Sequence, residues 1–459
     1  MSDLSTIVKA YDVRGTVPDQ LNEQIAHAFG GAFVRVLQAR GEDTHKIVVA
    51  HDMRESSPVL SRAFIDGARE AGADVVSAGL GSTDLLYYAS GALNVPGVMF
   101  TASHNPARYN GIKMCRAGAR PIGQDTGLAD IRAEVERILE GEPAESGRPG
   151  GVEERDLLRE YAAHLRTLVD LMAIRPLTVV VDAGNGMAGY TVPAVLGDSK
   201  LDPLPLKIIP LYFELDGTFP NHEANPLEPK NLVDLQRAVR EQGADLGLAF
   251  DGDADRCFVV DERGDAVSPS AITALVAVRE LGKHPGATVI HNLITSKAVE
   301  EIVREHGGVP VRTRVGHSFI KAEMARTGAV FGGEHSAHYY FRDFWYADTG
   351  MLAAMHVLAT LGGQDRPLSA LAGQYVRYHD SGEINSTVTD QAGKLADVEK
   401  AFPEATVDHL DGLTVTFPDG SWANLRPSNT EPLLRLNVEA PTAERMAQLR
   451  DQILAIVRS

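Results

Sequence analysis

The stretch DLGLAFDGDADRCFVVDERG at 245–264 places Asp251, Asp253 and Asp255 at alternate positions of a short turn between two apolar runs. Three carboxylates this close repel one another unless a cation or protons neutralise them. Ligands that are all oxygen favour a hard ion such as Mg2+ or Ca2+. An EF-hand loop also begins D-x-D-x-D, and Glu262 falls at its twelfth position. Arg256, however, stands at the sixth, where that loop needs glycine. The flanks LGLAF and CFVVD read as strands rather than helices, so the EF-hand is rejected. A merely solvated acidic turn would not explain such apolar flanks.

TASHNPARYNGIK at 101–113 follows the apolar run VPGVMF and sets Ser103, His104 and Asn105 side by side, with Lys113 further on. The frame T-A-S-H-N lacks the G-x-S-x-G of a hydrolase elbow. On an extended segment His104 points away from Ser103 and makes a poor general base. The chemical role left for an exposed loop serine is to carry a group. A phosphoserine brings about −1.5 to −2 charges and needs a cationic partner, which the three-Asp site supplies if the two loops meet. A plain polar turn is the competing reading.

Two more loops carry reactive types. In VFGGEHSAHYYFRD at 330–343, Glu334, Ser336 and His338 alternate, so on an extended segment they face the same way. In NLRPSNTEPLLRL at 424–436, Arg426, Ser428, Asn429 and Thr430 lie between Pro427 and Pro432. Arginine with hydroxyls and loop N–H groups makes a phosphate clamp; the alternative is an ordinary surface turn.

The elements that position these loops follow one rhythm: a β-branched run, a polar loop, then a helical pattern. It occurs in KIVVAHDMRESS at 46–57, TVVVDAGNGMAG at 178–189 and ATVIHNLITSKAVEEIV at 287–303. Short apolar runs with crossover helices read as buried parallel strands. EGEPAESGRPGG at 140–151 and GGQDRP at 362–367 read as linkers. Beyond the second, LTVTF, LLRLNVEA and a final helical stretch AERMAQLRDQILAIVRS predict a smaller α+β domain. The expected domains are 1–148, 152–257, 258–366 and 370–459.

At 459 residues the chain is long enough for several cores, which stop growing near ~250–300 residues. The net charge of −18 argues against a general nucleic-acid binder, which needs a basic face, but permits a small phosphorylated ligand held by a few local groups. Two cysteines, Cys115 and Cys257, make no disulfide framework and fit a reducing compartment. No apolar run reaches the ~18 residues of a membrane span, and the N-terminus has no signal core. The expectation is a cytoplasmic protein with no membrane partner.

Taken together, KAYDVRG at 9–15, TASHNP at 101–106, DGDADR at 251–256, GEHSAH at 333–338 and RPSNTEP at 426–432 resemble, in order, the motifs of the α-D-phosphohexomutase superfamily. The nearest likeness is to its bacterial phosphomannomutase/phosphoglucomutase branch. The resemblance implies three related mixed-sheet α/β domains plus a smaller C-terminal α+β domain around a central cleft. It implies a phosphohexomutase interconverting hexose 1-phosphate and hexose 6-phosphate, of mannose or glucose, through a hexose 1,6-bisphosphate that is intermediate and activator. Ser103 would be the phosphoserine. Asp251, Asp253 and Asp255 would hold one Mg2+, with the phosphoserine completing the site. Glu334 and Ser336 would grip sugar hydroxyls, and Arg426, Ser428, Asn429 and Thr430 the non-reacting phosphate. Tyr11, Arg14, Lys113, Arg256, His317 and His338 match positions lining the family's active site, with Lys113 and His338 as proton-transfer partners. One stretch departs: NLITSK at 292–297 has Ile294 near the place where certain dual-specificity mutases carry a substrate-binding lysine, leaving Lys297 as the substitute or a surface residue. Glu-x-Ser-x-His is the form of this branch, whereas phosphoglucosamine mutases usually vary it. The rivals are a phosphoglucosamine mutase, a metal-dependent phosphate-ester hydrolase and a calcium-binding module.

Overall fold

The three β-branched runs are central strands. In the computed structural model, which describes residues 3–141, 148–197, 201–428 and 433–459, Lys46–His51 lies between two parallel neighbours, Asp74–Leu80 and Gly97–Phe100. Leu177–Asp182 lies likewise between Leu206–Leu211 and Leu246–Phe250, and Thr288–Asn292 between Val309–Thr313 and Phe331–Gly333. Ile47, Val48, Val49, Val179, Val180, Val181, Val289 and Ile290 are buried. Side chains on both faces of a strand are covered only where helices pack on both sides, which is why these runs do not alternate with polar residues.

Antiparallel strands make the first two sheets mixed. Gly97–Phe100 continues into Tyr109–Arg116, which pairs antiparallel with both it and Asp12–Thr16. Leu246–Phe250 continues into its antiparallel partner Cys257–Asp261, so the acidic loop joins two strands. That geometry excludes the helix–loop–helix of an EF-hand.

The C-terminal sheet is different. Leu413–Thr416, Trp422–Pro427 and Leu433–Ala440 run antiparallel. Val398 from helix Gln391–Ala401 and Leu449 and Ile453 from helix Ala443–Val457 pack with Leu413, Val415, Leu425 and Leu436 into one apolar cluster. The expected smaller α+β domain is present.

By internal packing the chain forms two units, 1–267 with 336–369, and 268–335 with 370–459. Much of the first expected linker, residues 142–147, lies outside the described residues. The second separates helix Gly350–Gly362 from helix Leu368–Ala372. Among the described residues no helix is long and apolar enough to cross a membrane.

Candidate active site

Three loops occupy one topological position, each leaving the C-terminal end of a parallel strand that flanks a central one. They begin after Phe100, Phe250 and Gly333. Each contains one non-glycine residue in the left-handed region: Ser103 at φ 51°, Ala254 at φ 61° and Ala337 at φ 64°. Such residues are uncommon and mark tight, over-determined turns.

This corrects two expectations based on extended backbone. The turn at Ser103 brings His104 Nδ1 to 3.2 Å from Ser103 Oγ, where alternation would have pointed it away. Nδ1 also accepts a hydrogen bond from Arg256 Nη2. Burial, with Arg256 and Arg14 alongside, pushes the imidazole well below its ordinary pKa. His104 is therefore near but remains a poor base, because its lone pair is engaged. The segment carrying Glu334, Ser336 and His338 is likewise not extended, since the backbone turns through Ala337. Ser336 and His338 nevertheless face each other, with Ser336 Oγ 3.0 Å from His338 Nδ1.

Ser103 is 3 % exposed rather than an open loop residue. Its N–H donates to Thr101 Oγ1 at 2.9 Å and its hydroxyl to Asp251 Oδ2 at 2.8 Å. The expected meeting of the serine and acidic loops thus occurs. It requires glycine at 252, where a Cβ would stand 2.3 Å from the carbonyl oxygen of Ser103.

Asp251, Asp253 and Asp255 are all buried, and each offers an oxygen within 4.8 Å of the others. Arg256 donates from Nε to Asp251 Oδ2 at 2.9 Å. Lys113 Nζ bridges Asp253 Oδ2 at 2.7 Å and Asp255 Oδ2 at 2.6 Å. Burial pushes the Asp251 carboxyl up, against the pull of Arg256. Burial acts on Asp253 too, but Lys113 and the Thr83 hydroxyl outweigh it and hold that carboxylate well below the usual range. Lys113 is the mirror case: burial lowers its pKa, and the two carboxylates raise it well above an ordinary lysine's. Asp253 Oδ1 and Asp255 Oδ1 are buried and accept no hydrogen bond. Two bare anionic oxygens in a buried cluster fit an oxygen-liganded cation, and three carboxylates of this kind suit a hard ion.

Arg14 donates to Asp12 Oδ2 at 2.8 Å and to Asn105 Oδ1 at 2.7 Å, so the KAYDVRG strand is tied to the serine loop. His338 Nε2 stands 3.7 Å from Asp255 Oδ1. Tyr11 is half-buried just before the strand that carries Arg14. The structure therefore gathers Ser103, Lys113, Arg14, Arg256, His338, Ser336 and the three aspartates in one unit.

In the other unit Glu334 is buried and accepts from Asn292 Nδ2 at 3.1 Å, while Thr295 Oγ1 fixes Asn292 Oδ1 at 2.8 Å. The first part of NLITSK therefore orients Glu334. Lys297 opens helix Lys297–Glu305 with its N–H on Glu439 at 2.9 Å and its side chain beside Gly420. Ile294, Ser270 and His335 line a small cavity. His317 begins helix His317–Thr327. Arg426 lies 3.6 Å from Glu383 and 3.9 Å from Asp411, and the Ser428 N–H donates to the Leu433 carbonyl at 2.8 Å. Asn429 and Thr430 lie outside the described residues.

Sequence reasoning missed Arg54. Its guanidinium, 1 % exposed, donates to the carbonyls of Ser103 and Asn105 at 2.9 and 2.7 Å, and of Pro106 and Tyr109 at 3.0 and 2.9 Å. Nε donates to Asp52 Oδ2 at 3.2 Å. One side chain holds the whole serine loop. The available signal was a D-x-R pair directly after a buried strand, where charge needs a reason.

Comparison with known proteins agrees with this architecture. Models of phosphoglucomutase/phosphomannomutase match residues 5–142 (alpha/beta/alpha domain I), 159–264 (domain II), 268–378 (domain III) and 383–456 (C-terminal domain). A phosphomannomutase of Salmonella montevideo is 42% identical over 448 residues, 95% of each chain. A protein of Xanthomonas campestris pv. campestris named phosphohexose mutases is 41% identical over 450 residues, 97% of each. The crystal structure of a phosphoglucomutase/phosphomannomutase family protein from Burkholderia thailandensis superposes with TM-score 0.88 at 34% identity, covering 100% of this chain and 98% of that one. The chain is thus a four-domain phosphotransferase mutase of the α-D-phosphohexomutase superfamily. Within it, the protein belongs to the phosphoglucomutase/phosphomannomutase family.

Proposed function

We propose that this protein interconverts hexose 1-phosphate and hexose 6-phosphate, of mannose and glucose, by way of a phosphoserine at Ser103. The observation that carries the proposal is the hydrogen bond from Ser103 Oγ to Asp251, inside a cluster whose other two carboxylates each keep a bare oxygen. Unphosphorylated, the cluster sets two cations, Lys113 and Arg256, against three carboxylates. Phosphate on Ser103 adds roughly two negative charges, so a divalent cation is needed for balance. Asp251, Asp253 and Asp255 would hold it, and Mg2+ there would supply neutralisation of the transferring phosphoryl oxygens.

The protein's own groups do the rest. The bond between Ser103 Oγ and phosphorus breaks as a sugar hydroxyl oxygen bonds to phosphorus; that hydroxyl gives up its proton, and Ser103 Oγ regains one. Asp251 already accepts the serine proton's hydrogen bond. His338 is the better placed of the expected partners for the sugar proton, being partly exposed, while Lys113 is neutralised by two carboxylates. Arg256 and Arg14 add positive charge beside the serine loop. Glu334 and Ser336 grip sugar hydroxyls, with Tyr11 and His317 lining the substrate. Arg426, Ser428, Asn429 and Thr430 clamp the remote phosphate. The hexose 1,6-bisphosphate then reorients and returns its other phosphate to Ser103, and free bisphosphate activates any dephosphorylated enzyme.

The names of the Salmonella and Xanthomonas relatives support mannose and other hexose phosphates over glucosamine phosphate. A hydrolase has no need of a second phosphate clamp. A coupled assay with mannose 1-phosphate, glucose 1-phosphate and glucosamine 1-phosphate, with free phosphate quantified, separates these readings. The expected result is conversion of the first two to 6-phosphates without phosphate release. Net hydrolysis, or turnover of the glucosamine ester alone, would overturn the proposal.

A further inference from the structure

Thr83 touches the acidic cluster from a segment, Gly81–Ser82–Thr83–Asp84, that has no part in the roles assigned above. It is fully buried. Its hydroxyl donates to Asp253 Oδ2 at 2.6 Å, and its backbone N–H donates to the Asp253 carbonyl at 3.0 Å. Asp253 is therefore gripped by one residue at its side chain and its main chain together. Thr83 is the first residue of helix Thr83–Leu93, but helix capping does not occupy its hydroxyl. Ser82 is the cap, accepting from the Leu85 N–H. The threonine hydroxyl is spare and is directed at the carboxylate.

The segment is itself tied down. Asp84 accepts from Ser82 Oγ, from Tyr161 Oη at 2.6 Å and from Thr349 Oγ1 at 2.7 Å. Thr349 also caps the helix Gly350–Gly362. A buried carboxylate satisfied by three hydroxyls from three separate stretches fixes the loop in place.

The consequence is an asymmetry between the two oxygens of Asp253. Oδ2 is filled by Thr83 and Lys113, whereas Oδ1 accepts nothing. We infer that Thr83 is a positioning residue that locks the Asp253 carboxylate so that Oδ1 is the oxygen presented to the cation. The inference rests on the cation reading given under the proposed function. Hydrogen bonds to metal-ligating carboxylates orient them, and losing one typically costs ~10–100-fold in metal affinity.

The test uses the full-length enzyme stripped of metal and titrated with Mn2+ alone, free Mn2+ being read by electron paramagnetic resonance. Thr83→Val keeps the shape and the backbone contact but removes the hydroxyl, and should weaken Mn2+ binding by ~10–100-fold. Thr83→Ser, which keeps the hydroxyl, should bind within about threefold of the unaltered chain, a rescue that a purely packing role would not give. Asp253→Asn serves as the reference for the cation site. If Asp253→Asn weakens Mn2+ binding and Thr83→Val does not, the positioning role is wrong. If Asp253→Asn binds Mn2+ normally, the cation reading itself fails and the inference falls with it. Should the valine variant fail to fold, Thr83→Ala carries the same expectation.

Discussion

Arg54→Met would unfasten the serine loop without touching any group that meets substrate. Met matches the arginine stem in length and fills the space of its methylenes, so the change removes chiefly the guanidinium. Its loss leaves Asp52, which is fully buried, without its cation. Breaking a buried ion pair in this one-sided way costs about 3–5 kcal/mol. The carbonyls of Ser103 and Asn105 lose the Arg54 donor in the same step, each worth about 1–3 kcal/mol if it stays buried and unpaired, whereas the Pro106 carbonyl keeps the Tyr109 N–H at 3.0 Å. The loop can relax and admit water, so the pair sets the floor: at least ~3 kcal/mol, felt first at residues 103–109. Hydrogen exchange across 101–111 reads that local loosening, since a chain of several domains gives no single unfolding energy. A displacement of about 1 Å at a reacting atom can cost ~100-fold in rate, so phosphate transfer to Ser103 from hexose 1,6-bisphosphate should slow by that order. Arg54→Lys should fall between, because an ammonium carries its three protons on one atom and cannot span four carbonyls. Unchanged exchange at 101–111, together with transfer at the unaltered rate in Arg54→Met, would refute the reasoning.

Ser103→Ala should leave the fold intact and remove nearly all mutase activity, with peptide mass spectrometry finding phosphate on Ser103 of the active enzyme. Phosphate on another residue, or an active alanine variant, would contradict the phosphoserine. If Arg426 belongs to the proposed phosphate clamp, Arg426→Ala should impair 1-phosphate and 6-phosphate substrates alike, by about 1.5–3 kcal/mol in kcat/KM, since such a clamp would meet the same dianion in either orientation. A defect confined to one direction would remove Arg426 from the clamp. Burial raises the Asp84 carboxyl from the usual 3.8 to about 6, against its three hydroxyl donors. Its raised pKa therefore contributes stability that is fully present below pH 3.8 and is lost as pH rises through 6, roughly 3 kcal/mol in all. Asp84→Asn, which mimics the protonated acid, should flatten that part of the local stability profile between pH 4 and 7, read by hydrogen exchange across helix Thr83–Leu93 after correction for the intrinsic pH dependence of exchange, and an unchanged profile would show that Asp84 does not titrate there.

What the sequence made legible were features with a local cause. The β-branched runs announced central strands because burial on both faces leaves no room for polar alternation. DGDADR announced itself because like charges that close demand an explanation. RPSNTEP and GEHSAH stood out by residue type. The backbone of these loops was not legible: nothing in a serine or an alanine declares that Ser103 or Ala337 will be left-handed, so the alternation argument put His104 on the wrong side. The supporting residues were hidden for another reason. Arg54 is 49 residues from Ser103, and Thr83 is 170 from Asp253; pairings that distant leave no trace in local spacing.

They do leave a trace in topology. In the first sheet Gly97–Phe100, Lys46–His51 and Asp74–Leu80 are adjacent parallel strands. The residues that leave their C-terminal ends are the serine loop, the Asp52–Arg54 pair and Ser82–Thr83–Asp84. All three arrive at the same cluster because parallel strands end on the same edge, which is where open α/β sheets place their chemistry. In the sequence only the first stands out, since it alone combines a nucleophile type with unusual neighbours. Applied to every strand end alike, the same rule selects three buried ionisable groups, Asp52, Arg54 and Asp84, and two buried hydroxyls, Ser82 and Thr83. Under the proposed mechanism it separates residues that react from residues that hold: Ser103 would accept the phosphate, while Arg54 holds the Ser103 carbonyl and Thr83 holds an oxygen of Asp253. The Arg54 and Thr83 variants test that division, because each removes a holding contact while every reacting group stays in the chain.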